Sequence, residues 1–198
     1  MTAVLLFAKA PRPGAVKTRL AADLGDRAAA SVYRKLGAGV ADAVSAAFPL
    51  TVWYEPADAE AEMRAWLGNR HRYLPQPPGD LGDRLRVGFA THFASDPEPA
   101  VAIGADAPGV NAGVVEEAFA RLRRADVVIG PALDGGYYLL GLIRPVPALF
   151  AGIPWGTGGV LHETLAICQR NGLAVGQLSP LPDVDTVDDL RAAGLDRP

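Results

Sequence analysis

The 198-residue sequence predicts an α/β fold, a single domain over residues 1–198 whose mostly parallel mixed sheet is covered by helices on both faces. Short apolar runs alternate along the chain with segments of helical periodicity. The first run, Ala3–Ala8, is apolar at every position, as in a central strand buried on both faces. Neither a repeat nor a linker divides the chain, and 49% hydrophobic with 21% charged residues suits a globular core.

Seven short segments, most of them apolar runs, are predicted as strands. In chain order they are Ala3–Ala8, Leu50–Tyr54, His71–Leu74, Ala100–Ile103, Asp126–Ile129, Tyr137–Ile143 and Ala174–Leu178. The segments between them are predicted as helices: Val16–Phe48, Ala59–Leu67, Asp83–Phe93, Val114–Arg123, Val160–Arg170 and Val187–Ala193. In the longest segment Val32, Leu36, Val40 and Val44 recur every four residues, which predicts one buried stripe.

Composition excludes several classes of protein. A formal net charge of −3 argues against a general nucleic-acid binder. The single cysteine, Cys168, excludes an internal disulfide framework and predicts a cytoplasmic location. The apolar run Ala3–Ala8 lacks the basic region of a signal peptide, and Tyr137–Ile143 is far shorter than the roughly 20 residues of a membrane span. We therefore expect no membrane span.

Ligands of open parallel sheets bind beyond the carboxyl ends of the strands. The loops that follow strands are therefore the places to look for chemistry. They are Lys9–Arg19, Pro75–Gly82, Gly104–Gly109 and Pro182–Thr186.

The basic loop, KAPRPGAVKTRL (residues 9–20), is predicted to bind phosphate. It holds Lys9, Arg12, Lys17 and Arg19 and no acid, and Gly14 allows backbone N–H groups to approach an anion. A helix beginning just after it would add a favourable dipole. The alternative is a solvated basic turn. The spacing matches neither the P-loop nor the glycine fingerprint of dinucleotide-binding folds.

Asp106 follows the strand Ala100–Ile103 directly, in GADAPG. A carboxylate at that edge projects into the predicted ligand crevice and is a candidate metal ligand. The alternative is an Asx-turn, in which Asp106 bonds its own loop backbone before Pro108.

Aspartates collect near the end of the chain in PDVDTVDDL. Asp188 and Asp189 are predicted to cap a helix, because Thr186 and Asp189 have capping-box spacing. Asp183 and Asp185 precede the cap and remain free for a divalent cation, Mg²⁺ or Mn²⁺, or for the basic loop.

Two glycine-rich segments are predicted to hold a second substrate. Asp134, Gly135 and Gly136 precede a strand and could form a backbone-lined floor, and Trp155 and Thr157 in WGTGGV could cover an acceptor. The alternatives are a tight turn for the glycines, a core position for Trp155 and a helix cap for Thr157.

Six motifs in order resemble one bacterial family. FAKAPRPGAVKTRL, GDLGDRL, GADAP, GPALDGGYYLLGL, PWGTGGVL and DVDTVDDL, from Phe7 to Leu190, are similar to a GT-A-like family of glycosyltransferase-type proteins associated with radical-SAM enzymes. Its superfamily is the nucleotide-diphospho-sugar transferases. The stretch VKTRLAADLGDRAAA is also similar to the start of phospholactate guanylyltransferases.

The resemblance implies a GT-A fold and roles for individual residues. Lys17 and Arg19 would bind phosphates, Asp106 would hold the metal, and Asp183 with Asp185 would form the acidic motif near it. The loop in QPPGDLGDRL would approach the nucleobase through Gln76, Gly79 and Gly82. The chain departs from the superfamily where FAKAPRPG replaces the glycine-rich LAAGxGxRM opening and where GAD replaces DxD.

These residues predict metal-assisted transfer from a nucleotide donor to a small-molecule acceptor, with Lys17, Arg19 and Asp106 as catalytic groups. Nucleotidyl transfer to a phosphorylated acceptor is favoured, because the basic loop suits a triphosphate. Glycosyl transfer from a nucleotide sugar is the alternative, and a non-catalytic nucleotide sensor is a third reading. The sequence leaves the acceptor, the nucleobase and the oligomeric state open.

Overall fold

A seven-stranded sheet forms the centre of the protein in the computed structural model, which describes residues 2–195. The strands are β1 (Ala3–Lys9), β2 (Leu50–Glu55), β3 (Arg72–Pro75), β4 (Ala100–Gly104), β5 (Val127–Pro131), β6 (Tyr137–Leu142) and β7 (Val175–Gln177). Their order across the sheet is β3-β2-β1-β4-β6-β5-β7. Only β6 runs antiparallel to its neighbours within this sheet. The predicted mostly parallel mixed sheet is confirmed.

Helices cover both faces of the sheet, as predicted. They are α1 (Thr18–Leu24), α2 (Asp26–Ser45), α3 (Glu60–Leu67), α4 (Leu81–Ser95), α5 (Ala112–Leu122), α6 (Val160–Arg170) and α7 (Val187–Ala192), with a 3₁₀ helix at Pro147–Phe150. Within residues 2–195 no helix is long and apolar enough to cross a membrane.

The apolar alternation of β1 divides the core between the two faces. Leu6 packs in the cluster that also contains Val40 and Val44 of α2, whereas Leu5 packs with Phe89 of α4 on the other side. The predicted stripe along α2 is therefore buried, although Val32 at its start is only half-buried. Because both faces of β1 are covered, its sequence is apolar from Ala3 to Ala8.

The predicted helix Val16–Phe48 is wrong as a single element, because the chain breaks it at Gly25. This glycine ends α1 and precedes α2 with φ 81° and ψ 156°, a conformation that a residue with a side chain rarely adopts. Apolar periodicity continues across the break, so the period alone does not reveal it.

The beginning of α4 also differs from the prediction. Asp80 caps this helix by accepting a hydrogen bond from the Asp83 backbone N–H at 2.9 Å. Gly82, predicted at the end of a loop, therefore lies in the first helical turn. The 3₁₀ helix at Pro147–Phe150 was not predicted.

Parallel pairing aligns the carboxyl ends of three central strands. Lys9 at the end of β1 lies opposite Glu55 at the end of β2, and Phe7 lies opposite Gly104 at the end of β4. The loops that follow these strands therefore start from one edge of the sheet.

Candidate functional site

A cavity of about 490 Å³ opens at this edge of the sheet. Its walls come from β1, β4 and β6, from the basic loop, and from the beginning of α4. Six predicted site residues line it: Lys9, Lys17, Arg19, Gln76, Asp106 and Asp185. The cavity thus brings together residues from the beginning, the middle and the end of the chain.

Lys17 joins two aspartates at the mouth of the cavity. Its Nζ donates to Asp106 Oδ2 at 2.9 Å and to Asp185 Oδ1 at 2.8 Å. The Lys17 side chain is only 4% exposed, whereas the two carboxylates are partly exposed. Burial opposes the charge on the Lys17 ammonium, but attraction to Asp106 and Asp185 outweighs it and raises the pKa of Lys17. Arg19 approaches the same Asp185 carboxylate at 3.5 Å.

The backbone of Lys17 adopts an unusual conformation. With φ 49° and ψ 48° it lies in the left-handed region, and it is the only non-glycine residue among residues 2–195 with positive φ. This conformation costs an ordinary residue about 1–2 kcal/mol. Such strain persists where the surroundings hold it in place, and it is common at ligand sites. Here the ion pairs with Asp106 and Asp185 hold the side chain.

Asp183 lies in a crowded acidic environment. Burial, followed by repulsion from Asp106, Asp134 and Asp185, raises the pKa of Asp183 to about 7, although Lys17 acts in the opposite direction. Lys17 supplies the buried ammonium that acts on Asp183 against these three carboxylates. Added positive charge would therefore be favourable here.

The donor set suits a hard divalent cation. No group of three or more His, Cys, Asp or Glu side chains in residues 2–195 is arranged as a ready-made metal cage. Mg²⁺, however, usually takes only one or two protein carboxylates, with substrate phosphates and water as its other ligands. Asp106 and Asp185 already share one cation, the Lys17 ammonium, and they meet this requirement.

The capping prediction for the end of the chain is confirmed for Asp189, whereas Asp188 only adds an acid to the first helical turn. Thr186 and Asp189 form a capping box at the start of α7, and Asp188 pairs with the exposed Arg191 at 3.0 Å. Asp189 Oδ2 also accepts from the Asp185 backbone N–H at 3.1 Å. The cap therefore fixes the backbone that carries Asp185.

The basic loop does not present all of its predicted residues to the cavity. Arg12 turns away and donates to Glu62 at 2.9 Å, and Gly14 forms a turn with φ 79°. Neither residue lines the cavity. The Lys9 backbone N–H donates to the hydroxyl of buried Tyr33 at 3.0 Å, which ties the end of β1 to α2.

The predicted nucleobase loop contains a network of polar side chains. Gln76 Nε2 donates to backbone carbonyls of Ala8 and Trp53, and its Oε1 accepts from Arg84 Nη1 at 3.1 Å. Arg84 is also paired through two nitrogens with both oxygens of Glu55. Only Gln76 among the three predicted residues of this loop lines the cavity.

Local structure explains why glycine occupies both of the other predicted positions of that loop. Gly79 has φ 118°, a conformation that favours glycine. Gly82 is buried where a Cβ would lie 2.4 Å from Trp155 Nε1, so its lack of a side chain admits the indole ring.

The predicted acceptor residues form turns beside β6. Asp134 accepts from the Gly136 backbone N–H at 2.8 Å, which closes a local turn and agrees with the tight turn given as the alternative for these glycines. A Cβ on Gly135 would lie 2.2 Å from the Gly158 carbonyl oxygen. Thr157 Oγ1 donates to the Pro154 carbonyl at 2.8 Å, and Trp155 meets Tyr137 edge-on. None of these five predicted residues lines the cavity, although their neighbour Tyr137 does.

Several polar residues that line the cavity were not predicted. Tyr33, Arg84 and Tyr137 are among them. Arg84 could have been singled out, because it belongs to GDLGDRL, whereas Tyr33 carries no local signal beyond its place in an amphipathic helix. Tyr137 stands in an apolar strand and was assigned to the core.

One family model and several solved structures match the chain. The model of DUF2064, described as "uncharacterized protein conserved in bacteria", matches residues 40–157. A protein of Desulfovibrio desulfuricans G20 with the provisional name nucleotide-diphospho-sugar transferase is 36% identical, with a TM-score of 0.91 over 97% of this chain and 85% of that chain. No curated protein matches the chain.

More distant structures share the fold alone. CMP:2-keto-3-deoxy-manno-octonic acid synthetase, complexed with CTP, is 12% identical, with a TM-score of 0.59 over 97% of this chain and 96% of that chain. Rv0371C of Mycobacterium tuberculosis H37Rv, complexed with manganese, is 20% identical, with a TM-score of 0.57 over 96% of each chain. The chain thus belongs to the bacterial DUF2064 family and has the fold of the nucleotide-diphospho-sugar transferases.

Proposed function

We propose that this protein is a Mg²⁺- or Mn²⁺-dependent transferase that acts on a nucleotide or a nucleotide-sugar donor. The observation that carries the proposal is the Lys17 ammonium, buried between Asp106 and Asp185 at the mouth of a 490 Å³ cavity. A cavity of this size suits a small-molecule ligand. Cations and carboxylates that meet at the carboxyl ends of parallel strands suit a phosphate ester with its metal.

Each side of the site has a distinct role in this proposal. Asp106 and Asp185 would hold the metal, with Asp183 as the acidic group beside them, and the metal supplies positive charge to the donor phosphates when bound. Lys17 and Arg19 would exchange their carboxylate partners for phosphate oxygens and stabilise negative charge that develops on the leaving group. Lys9, at the end of β1, would add a third cation, and Arg12 and Gly14 would order the loop. The manganese complex of Rv0371C supports a metal in this fold.

Nucleotidyl transfer is the favoured reaction. An oxygen of a phosphorylated acceptor would attack the α-phosphorus, the bond to the bridging oxygen would break, and pyrophosphate would leave. The cation-rich loop supports this choice, since a leaving pyrophosphate carries more negative charge than the nucleoside diphosphate that leaves in glycosyl transfer. A synthetase with the same fold has been captured with CTP.

Glycosyl transfer is the second candidate. The provisional name of the 36% identical relative favours it. Here an acceptor oxygen would attack the sugar carbon and a nucleoside diphosphate would leave. In either reaction, Asp134–Gly136, Trp155 and Thr157 are proposed to border the acceptor, and Gln76, Gly79 and Gly82 the nucleobase. A non-catalytic nucleotide-binding protein is the third candidate.

Product analysis separates the three candidates. The protein is incubated with Mg²⁺ and each nucleoside triphosphate or nucleotide sugar, first with water as the acceptor and then with a panel of sugars and phosphorylated small molecules. Phosphorus NMR then identifies the products. Pyrophosphate indicates nucleotidyl transfer, a nucleoside diphosphate from a nucleotide sugar indicates glycosyl transfer, and saturable binding without turnover indicates a sensor. Asp106→Asn should abolish turnover, and the matched exposed acid variant Asp188→Asn should retain it.

A further inference from the structure

The polar groups of Gln76 already form hydrogen bonds within the protein. Its Nε2 donates to the Ala8 carbonyl at 3.1 Å and to the Trp53 carbonyl at 2.9 Å, which uses both amide protons. Its Oε1 accepts from Arg84 at 3.1 Å. Gln76 therefore has no proton left to donate to a nucleobase. Its contacts instead fix the position of the Arg84 guanidinium.

Arg84 has the opposite property, because its Nε–H donor has no partner. Its Nη1 and Nη2 bind the two oxygens of Glu55. Its Nε is buried and has no hydrogen-bond partner among residues 2–195. Arg84 lines the cavity and its side chain is 19% exposed. A buried donor without a partner is unfavourable, so a ligand acceptor in the cavity would relieve it.

The chemistry around Arg84 indicates which part of a ligand this donor suits. Glu55 neutralises the guanidinium, so the pair attracts a phosphate far less than Lys17 or Arg19 does. The same cavity is lined by apolar side chains of Phe7 and Leu85, and the Phe7 ring stacks on Trp53 with centroids 6.0 Å apart. A flat, uncharged ring with acceptor atoms at its edge fits these surroundings better than a phosphate does.

We propose that Arg84 Nε–H donates a hydrogen bond to a carbonyl oxygen or ring nitrogen of the donor's nucleobase. Gln76 and Glu55 are then positioning residues, which hold the guanidinium in the wall of the cavity. This inference rests on the proposed function and adds to it the residue that reads the base. Nucleotide selectivity in this site thus depends on Arg84 rather than on direct contacts of Gln76.

Arg84→Lys tests the proposal, because lysine keeps a positive charge beside Glu55 and removes the fixed Nε–H. Calorimetric titration with Mg²⁺ and each of ATP, GTP, CTP and UTP measures nucleotide affinity. Titration with Mg²⁺ and tripolyphosphate measures affinity for the phosphates alone. The variant should bind the preferred nucleotide about 10-fold more weakly, as expected for one hydrogen bond to a charged group, and should discriminate less among the four bases. Its tripolyphosphate affinity should not change.

Arg86→Lys is the matched control. Arg86 lies on the same helix, is exposed, and pairs with Asp83 outside the cavity lining. This control should bind all five ligands as the unsubstituted protein does. An Arg84→Lys variant with unchanged nucleotide affinity, or with an equal loss for tripolyphosphate, overturns the proposal. An unsubstituted protein that binds none of the ligands overturns the proposed function as well, so the two failures are distinguishable.

Nitrogen NMR of the arginine side chains tests the same contact without a substitution and covers the case in which Arg84→Lys does not fold. In the unsubstituted protein, the Arg84 Nε–H resonance should shift and exchange more slowly with solvent when the preferred nucleotide binds. Tripolyphosphate should leave it in place. A resonance that responds to both ligands, or to neither, contradicts the role in base recognition.

Discussion

Lys17 shows how one residue can be held ready for a ligand. Its left-handed backbone directs a buried side chain between Asp106 and Asp185, at 2.9 and 2.8 Å. A lysine has three donors, and two of them are engaged by these carboxylates. A ligand phosphate would offer the same ammonium acceptors of the same charge in exchange for these carboxylates. The site is therefore organised before any ligand binds, which lowers the entropy cost of binding.

Glu55 gives a prediction for pH dependence at the scale of the residue. Hydrogen bonds from Arg84 hold the pKa of Glu55 below its usual value, against the opposing effect of burial and with help from Lys9. Since the folded pKa is depressed, the stabilisation is present above the unfolded pKa of Glu, near 4.3, and is lost as pH falls through the folded pKa.

Urea denaturation of the unsubstituted protein and of Glu55→Gln at pH 6 and pH 3 measures this effect. The unsubstituted protein should be the more stable of the two at pH 6, and the difference should shrink at pH 3. A stability difference of the same size at both values would show that ionised Glu55 contributes nothing through Arg84.

Most of the site residues that could be predicted from the sequence are charged. Lys17, Asp106 and Asp185 each follow a predicted strand or precede a predicted helix, so the topology rule for parallel sheets places them at one edge. The topology rule does not find Tyr33 or Arg84, because their significance comes from hydrogen bonds across the fold. Only the motif GDLGDRL points to Arg84. Arg12 illustrates the converse: its charge suggested phosphate binding, but Glu62 lies within reach on α3.

At the scale of the element, the start of α4 depends on a close contact between Gly82 and Trp155. A Cβ at Gly82 would lie 2.4 Å from Trp155 Nε1 and 2.9 Å from the Phe150 carbonyl oxygen. The second neighbour is backbone and cannot rotate away. The contact ties the helix that carries Arg84 to the WGTGGV segment.

Gly82→Ala should therefore destabilise the protein by about 1–3 kcal/mol, the usual cost of overpacking. Gly39→Ala is the matched control, since Gly39 lies within α2, is exposed, and has no atom within 4 Å of an added Cβ. This control should stabilise the protein by about 0.5–1 kcal/mol, because alanine is the better helix former. Urea denaturation of both variants measures the difference, and a Gly82→Ala protein as stable as Gly39→Ala would refute the packing argument.

Strands and helices could be predicted from the sequence where a local pattern determines them. Seven strands and most helices were located, because apolar runs and caps are local signals. The break at Gly25 was missed, since apolar residues keep their period across it. The antiparallel direction of β6 also has no signature inside its own sequence: it follows from the short turn after β5, which lacks room for a crossover helix.

At the scale of the whole molecule, the fold brings together charged side chains that are far apart in the sequence. The net charge is only −3, yet Lys9, Lys17 and Arg19 meet Asp106 and Asp185 around one cavity. A local field of this kind attracts a metal and a polyphosphate together better than it attracts either alone. Nucleotide and metal should therefore stabilise the protein cooperatively.

A thermal-shift series measures this linkage. With Mg²⁺, a nucleoside triphosphate at 100 times its Kd should add about 2.7 kcal/mol to the free energy of unfolding. For a chain of 198 residues this raises the Tm by about 5–10 °C. EDTA should remove most of the shift, and Lys17→Met should abolish it, whereas Asp188→Asn should retain it. A Lys17→Met protein with the full shift would place the nucleotide elsewhere.

The central claim is that Lys17 and the aspartates act on the same phosphates. Its most direct test is anomalous diffraction from crystals grown with Mn²⁺ and a non-hydrolysable nucleoside triphosphate. The account predicts a manganese peak on the carboxylates of Asp106 and Asp185, with the Lys17 ammonium on a phosphate oxygen of the same ligand. A nucleotide and metal bound away from this cavity, with Lys17 still between Asp106 and Asp185, would contradict it.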